Sequence, residues 1–164
     1  MGPIVPPVKV LFVCTGNICR SPTAEAVFRF LIQSERLQES VLVDSAGTHD
    51  YHVGEPPDYR MMAAAARRGY DLGQLRARQI SRRDLIEFDY VLAMDRDNLR
   101  RIEQLAPASE SLKPRLFLEF STVRPGQEVP DPYSGSEDEF ELVVDLVEDA
   151  ARGLLADIKK RLGI

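Results

Sequence analysis

Residues 10–22 constrain this chain more than any other stretch. They read Val10-Leu11-Phe12-Val13-Cys14-Thr15-Gly16-Asn17-Ile18-Cys19-Arg20-Ser21-Pro22. The apolar run that ends at Cys14 is long enough for a buried parallel strand and too short for a helix. Ser21 suits a helix N-cap, and Pro22 suits the first helical position, where a missing N–H costs nothing. The stretch therefore predicts a strand, a tight loop and a helix N-terminus, with a thiol at one end of the loop and a guanidinium at the other.

Such a loop favours an anion. Backbone N–H groups feeding a helix N-terminus converge on negative charge, and the helix dipole adds to their pull. Gly16 and Asn17 tolerate the left-handed backbone that a cradle of this kind needs. Thr15, Ile18 and Cys19 complete the loop, and Arg20 offers a planar fork matched to two oxygens of a phosphate-like group. The same positive field favours the thiolate of Cys14, and the Ser21 hydroxyl can donate a hydrogen bond to it. A charged sulfur beneath a phosphate cradle is a nucleophile aimed at phosphorus.

Other readings of the same residues are blander. Cys14 as a buried structural thiol at a strand end leaves the arginine, the glycine and the Ser-Pro pair without a common explanation. A nucleotide-binding phosphate loop is excluded, because its Gly-Lys-Ser/Thr element is missing. A zinc site would need Cys14, Cys19, His49 and His52, every Cys and His in the chain, at spacings that suit no standard finger.

At 164 residues the chain is expected to form one domain, residues 8–164, with residues 1–7 as a flexible lead-in. A net charge of −5 speaks against a general nucleic-acid binder. No apolar segment is long enough to span a membrane. Pro6 stands where a myristoylation signal would need Ser or Thr. Two neighbouring cysteines and no signal peptide point to the reducing cytoplasm.

Downstream, Ala24, Val27, Phe28, Leu31 and Ile32 recur at helical spacing and predict a helix over 22–34. Residues 41–43 read as a second strand, running into a turn-rich segment over 44–48. There Ser45 either reaches a neighbouring loop with its hydroxyl or satisfies a local turn. Residues 48–57 form a loop in which His49 and His52 are expected to be solvated. Tyr51 in that loop is either a stacking wall for an aromatic substrate or a packed anchor.

A helix is predicted over 58–68, ended by Gly69, and a short one over 82–88, capped by Ser81 with Asp84 closing the box. Residues 90–94 make a third strand. Asp95 follows as the cap of a helix through 97–102, or as a charge facing a loop. Residues 116–118 make a fourth strand, 119–136 a long loop, and 137–162 an amphipathic helix. Alternating strands and helices imply an α/β fold, a doubly wound four-stranded parallel sheet flanked by helices, with ligands at the carboxyl ends of the strands.

Asp131 would share that edge with Cys14. Displacing an alkoxide or phenolate from phosphorus needs a general acid, and releasing phosphate from sulfur needs a base for water. One carboxylate can serve both in turn, and Pro130 and Pro132 restrict the backbone that carries it.

The cysteine loop with its Ser-Pro exit, together with Asp131-Pro132-Tyr133, resembles the low-molecular-weight protein tyrosine phosphatases. Further family-like words are Asp44-Ser45-Ala46-Gly47-Thr48, Gly54-Glu55-Pro56-Pro57-Asp58, Ala77-Arg78-Gln79-Ile80 and Phe88-Asp89-Tyr90-Val91-Leu92-Ala93-Met94-Asp95. The resemblance implies a two-step phosphatase without metal or cofactor, acting on phosphotyrosine-containing proteins, a cognate tyrosine kinase among the candidates. It implies Cys14 as nucleophile, Arg20 and the loop amides as oxyanion holders, and Asp131 as acid and base. Asn17, Ser21 and Ser45 match the braces of the loop, and Tyr51 and Tyr133 match the walls around the substrate ring. Cys19 matches the second loop cysteine, able to pair with Cys14 on oxidation. Ser134 and Leu75 depart from the family pattern, where many members have a tyrosine and a histidine; Ser134 would open the cleft. Thioredoxin-coupled arsenate reductases look similar in the cysteine loop, but they need redox cysteines beyond it. A phosphate-binding module without catalysis would not need Asp131.

Overall fold

The structure, a computed structural model, describes residues 5–106 and 113–164. Most of the lead-in and the Met-Gly terminus lie outside the described residues. Four parallel strands form one sheet: β1 (Val8–Cys14), β2 (Val41–Gly47), β3 (Tyr90–Ala93) and β4 (Pro114–Leu116), in the order β2-β1-β3-β4. Among the described residues, five α-helices connect and cover them: α1 (Arg20–Ser34), α2 (Tyr59–Ala66), α3 (Arg82–Glu87), α4 (Arg96–Leu105) and α5 (Glu137–Leu162). The strand order turns back at β1, so the crevice at the carboxyl ends of β1 and β3 opens where Cys14 ends its strand.

β1 is apolar from Val10 to Cys14 because both of its faces are covered there. Val8, Val10, Phe12 and Cys14 pack with α1 and α5, while Leu11 and Val13 join Ile80, Leu85, Phe88 and Ile102 on the other side. Phe12 meets Phe28 and Phe117 edge-on, with ring centroids 5.8 and 5.0 Å apart. Its loss to alanine would cost about 3–5 kcal/mol by transfer and cavity formation. That rigid floor fixes where the strand delivers its sulfur.

Several boundaries differ from the sequence reading. β2 runs on through Ser45 to Gly47, because Gly47 also bonds with the 76–80 connection: its N–H reaches Arg78 O at 2.8 Å and its carbonyl receives Ile80 N–H at 2.8 Å. β4 ends at Leu116, and Phe117–Phe120 wind into a 3₁₀ turn that turns Phe117 into the core. α4 starts at Arg96 with Asp95 as its cap, and α5 matches the predicted span, its carboxyl end closed by Gly163 in the left-handed region. Among the described residues, no helix is long and apolar enough to cross a membrane.

Candidate active site

The loop between β1 and α1 is held from outside. Thr48 N–H donates to Cys14 O at 2.9 Å, His49 N–H to Thr15 O at 3.0 Å, and Asp58 N–H to Ile18 O at 2.8 Å. A planar trans peptide sets its N–H opposite its carbonyl. Turning these three carbonyls outward therefore turns the N–H groups of Thr15, Gly16 and Cys19 the other way. Among the described residues, the N–H groups of 15–19 meet no protein acceptor. The result is a nest of amides open to an anion beside the amino end of α1.

Asn17 takes the strain of the turn, with φ of +57°. Its buried amide donates to Ser21 Oγ at 2.7 Å and Ser45 Oγ at 3.0 Å, and its Oδ1 accepts Arg78 N–H at 3.0 Å. The Ser45 hydroxyl donates to Glu25 Oε1 at 2.6 Å, and Arg29 closes the chain on Glu25 Oε2 at 2.7 Å. Burial pushes the Glu25 carboxyl above its usual range, against the opposing pull of Ser45 and Arg29. Ser45 therefore reaches the neighbouring loop; a purely local turn role is overturned.

Ser21 is not the N-cap. α1 begins two residues earlier, at Arg20, with Cys19 in the capping position, and the Ser21 hydroxyl lies 3.0 Å from Cys14 Sγ. With Asn17 donating to its oxygen, the Ser21 hydroxyl has two places for its proton, Cys14 Sγ at 3.0 Å and the more distant Ala46 O at 3.4 Å. Pro22 still costs nothing, since the first four N–H groups of a helix lack intrahelical partners. The reading of Gly16 also changes. It has no positive φ; a Cβ there would instead come within 2.9 Å of His52 Cδ2. Gly47, read only as part of a turn, lies directly beneath the loop: a Cβ would come within 2.7 Å of Thr15 O and 3.1 Å of Asn17 N.

Arg20 is only 1% exposed, yet its charge is well matched. Nη1 donates to Asp95 Oδ2 at 2.7 Å and Val129 O at 3.0 Å, and Nη2 to Thr15 Oγ1 at 3.3 Å. Burial works against the cation, but Cys14, Asp95 and Asp131 outweigh it and hold the guanidinium above its usual value. Asp95 serves both of the roles open to it, since its Oδ1 accepts Asn98 N–H at 2.7 Å and caps α4. Burial, with Asp58, Cys14 and Asp131 nearby, pushes the Cys19 thiol well up, so it stays protonated.

Cys14, Thr15, Gly16, Ile18, Cys19, Arg20, Tyr51, Asp131 and Tyr133 line one open cleft. Asn17, Ser21 and Ser45 lie behind it, buried. Asp131 Oδ2 stands 3.8 Å from Arg20 Nη2, and its Oδ1 accepts Tyr133 N–H at 3.1 Å. Tyr51 is 69% exposed and Tyr133 51% exposed, so both are rim residues rather than packed anchors. His52 departs from its reading as a solvated loop residue. It lines the cleft beside Tyr133 and pairs with Glu55, because Gly16 leaves room for its ring. Among the described residues, no three His, Cys, Asp or Glu side chains converge as a metal site. Leu75 lies away from the cleft, in a groove beside Arg29 and Tyr70, and Ser134 is exposed.

Comparison with known proteins agrees with this geometry. The family model described as low molecular weight phosphotyrosine protein phosphatase matches residues 9–163. A low molecular weight protein-tyrosine-phosphatase of Streptomyces coelicolor is 43% identical over 157 residues, covering 94% of this chain and 95% of its own. The human low molecular weight phosphotyrosine protein phosphatase is 42% identical over 137 residues, 82% of this chain and 85% of its own. A crystal structure of a protein tyrosine phosphatase from Entamoeba histolytica, described with Hepes in the active site, superposes with a TM-score of 0.89 at 41% identity. It covers 93% of this chain and 97% of that one. The likeness runs through the sheet and helices as well as the loop, and the chain belongs to the low-molecular-weight protein tyrosine phosphatase family.

Proposed function

We propose that Cys14, Arg20 and Asp131 carry the phosphotyrosine hydrolysis that defines this family, in two steps. The amides of 15–19 and the Arg20 fork hold the three non-bridging oxygens, and charge gathering on them in the transition state meets donors already in place. Cys14 Sγ attacks phosphorus as the bond to the tyrosine oxygen breaks, and Asp131 gives its proton to that oxygen. The product is a phosphocysteine and free tyrosine. Asp131, now a carboxylate, takes a proton from water; the hydroxide forms the new P–O bond, and Cys14 leaves as a thiolate to which Ser21 donates. Tyr51 and Tyr133 flank the substrate ring, and Asn17 and Ser45 keep the loop in shape.

One observation carries this reading: among the described residues the loop amides are without protein acceptors, while the buried Arg20 and the Asp131 carboxylate line the same cleft as Cys14. The Entamoeba relative, with the sulfonate Hepes in its active site, supports an oxyanion cradle. Turnover of an aryl phosphate in EDTA is the test. Cys14→Ser should abolish it, and Asp131→Asn should lower it about 10²–10⁴-fold, the usual contribution of a general acid. Arsenate reduction without phosphatase activity would overturn the assignment. The only cysteines, Cys14 and Cys19, both lie in the loop, which leaves no relay for that chemistry.

We further propose that residues 8–164 act as one domain in the cytoplasm on phosphotyrosine proteins, a cognate tyrosine kinase among them. Asp131→Ala should trap such partners. Peroxide would convert the Cys14 thiolate to a sulfenic acid, and the protonated Cys19 thiol would displace water from it to form a reversible disulfide.

A further inference from the structure

The carboxylate assigned above as acid and base is poorly held by its own contacts. Its side chain is 54% exposed, and its partners are the Tyr133 N–H and the distant edge of Arg20. Its geometry must come from the backbone on either side. On one side Val129 is fixed, its N–H on Met94 O at 2.8 Å and its carbonyl on Arg20 Nη1 at 3.0 Å. On the other side the Tyr133 carbonyl receives Arg60 Nη2 at 2.9 Å.

Arg60 does not line the cleft. Its guanidinium lies 5.5 Å from the Tyr133 ring centroid and 4.8 Å from that of buried Phe140. Its Nε and Nη2 reach the two oxygens of Asp58 at 3.2 and 3.0 Å. Asp58 in turn caps α2, accepting Arg60 N–H at 2.8 Å, and its own N–H holds Ile18 O of the phosphate loop. A continuous path therefore joins the phosphate loop to the Tyr133 carbonyl, two residues beyond Asp131.

We infer that Arg60 is a positioning residue that sets Asp131 against the phosphate loop by tying the Tyr133 carbonyl to Asp58; the inference rests on the acid role proposed above. With 43% of its side chain exposed, its ion pair with Asp58 adds little stability, so its effect falls on geometry. Only a planar fork holds a carboxylate and a carbonyl at once while lying on two rings, which a lysine cannot do.

The test compares kcat/KM for phenyl phosphate, whose leaving group needs a proton, with that for 2,4-dinitrophenyl phosphate, whose leaving group does not. Arg60→Ala should cost about tenfold on the first and less than about threefold on the second, in line with the sensitivity of proton transfer to small misplacements. Arg60→Lys should recover little of the loss. In an Asp131→Asn background Arg60→Ala should cost nothing further, and inhibition by inorganic phosphate should stay at the wild-type level. Equal losses on both esters, an additive loss in the double variant, or no loss would overturn the inference. If Asp131→Asn itself leaves phenyl phosphate turnover intact, the acid assignment fails and Arg60 falls with it; an intact Asp131 effect without the Arg60 effect refutes Arg60 alone.

Discussion

Replacing Asp95 by Asn changes one atom and removes one acceptor. The carboxylate uses both oxygens, one on Arg20 Nη1 at 2.7 Å and the other on the N–H of Asn98 at 2.7 Å. An amide has a single acceptor, so either the α4 cap or the arginine must face an N–H instead. Arg20 is the costlier loss, because its side chain is only 2% exposed and water cannot replace the partner. Hydrogen bonds to charged groups contribute about 1.5–3 kcal/mol; with Asp95 itself 22% exposed, about 2 kcal/mol is expected. For a chain of this size that lowers Tm by about 4–8 °C in scanning calorimetry. Val129 O still holds Nη1 at 3.0 Å, so the guanidinium loosens without leaving the site. A loosened fork should lower kcat/KM for phosphotyrosine about 10–100-fold, the scale of a misplaced oxyanion donor, and raise the inhibition constant of inorganic phosphate. A variant with the lower Tm but with kcat/KM and phosphate affinity within twofold of wild type would refute the idea that Asp95 orients Arg20.

Two further outcomes follow from the packing. Gly47→Ala puts a methyl against backbone atoms of Thr15 and Asn17 that cannot rotate away, so it should cost about 1–3 kcal/mol and weaken phosphate inhibition. Gly16→Ala meets only the movable His52 ring and should be milder by both measures, unfolding in urea and phosphate competition. At Asp149, burial raises the carboxyl pKa, but hydrogen bonds from Ser121, Thr122 and Val123 outweigh it and hold the group below its reference value of 3.8. Its contribution is thus complete above pH 3.8 and is lost as pH falls through the lower folded value. Urea midpoints measured from pH 5 downward should drop less steeply for Asp149→Asn than for the wild type, and parallel curves would refute this.

The elements that local chemistry controls were legible in the chain. The apolar run ending at Cys14, the Ser81 and Asp84 pair at the start of α3, and the 3.6-residue stripe of α5 each carry their own signal, since periodicity and capping act over a few residues. The tight turn between Cys14 and Arg20 was legible for the same reason, with Asn17, though not Gly16, in the left-handed region. Contacts made across the fold decided the rest. Ser21 looked like a cap by local preference, but a buried amide and a sulfur claimed its hydroxyl. Asp95, His52, Gly47 and Arg60 gained their places from partners 32 or more residues away along the chain, at Arg20, Gly16, Thr15 and Tyr133. Sequence by itself determined which groups exist and how each short segment folds; only the closing of the sheet decided which groups meet, because hydrogen bonds and steric exclusion act over a few ångströms of space and not along the chain.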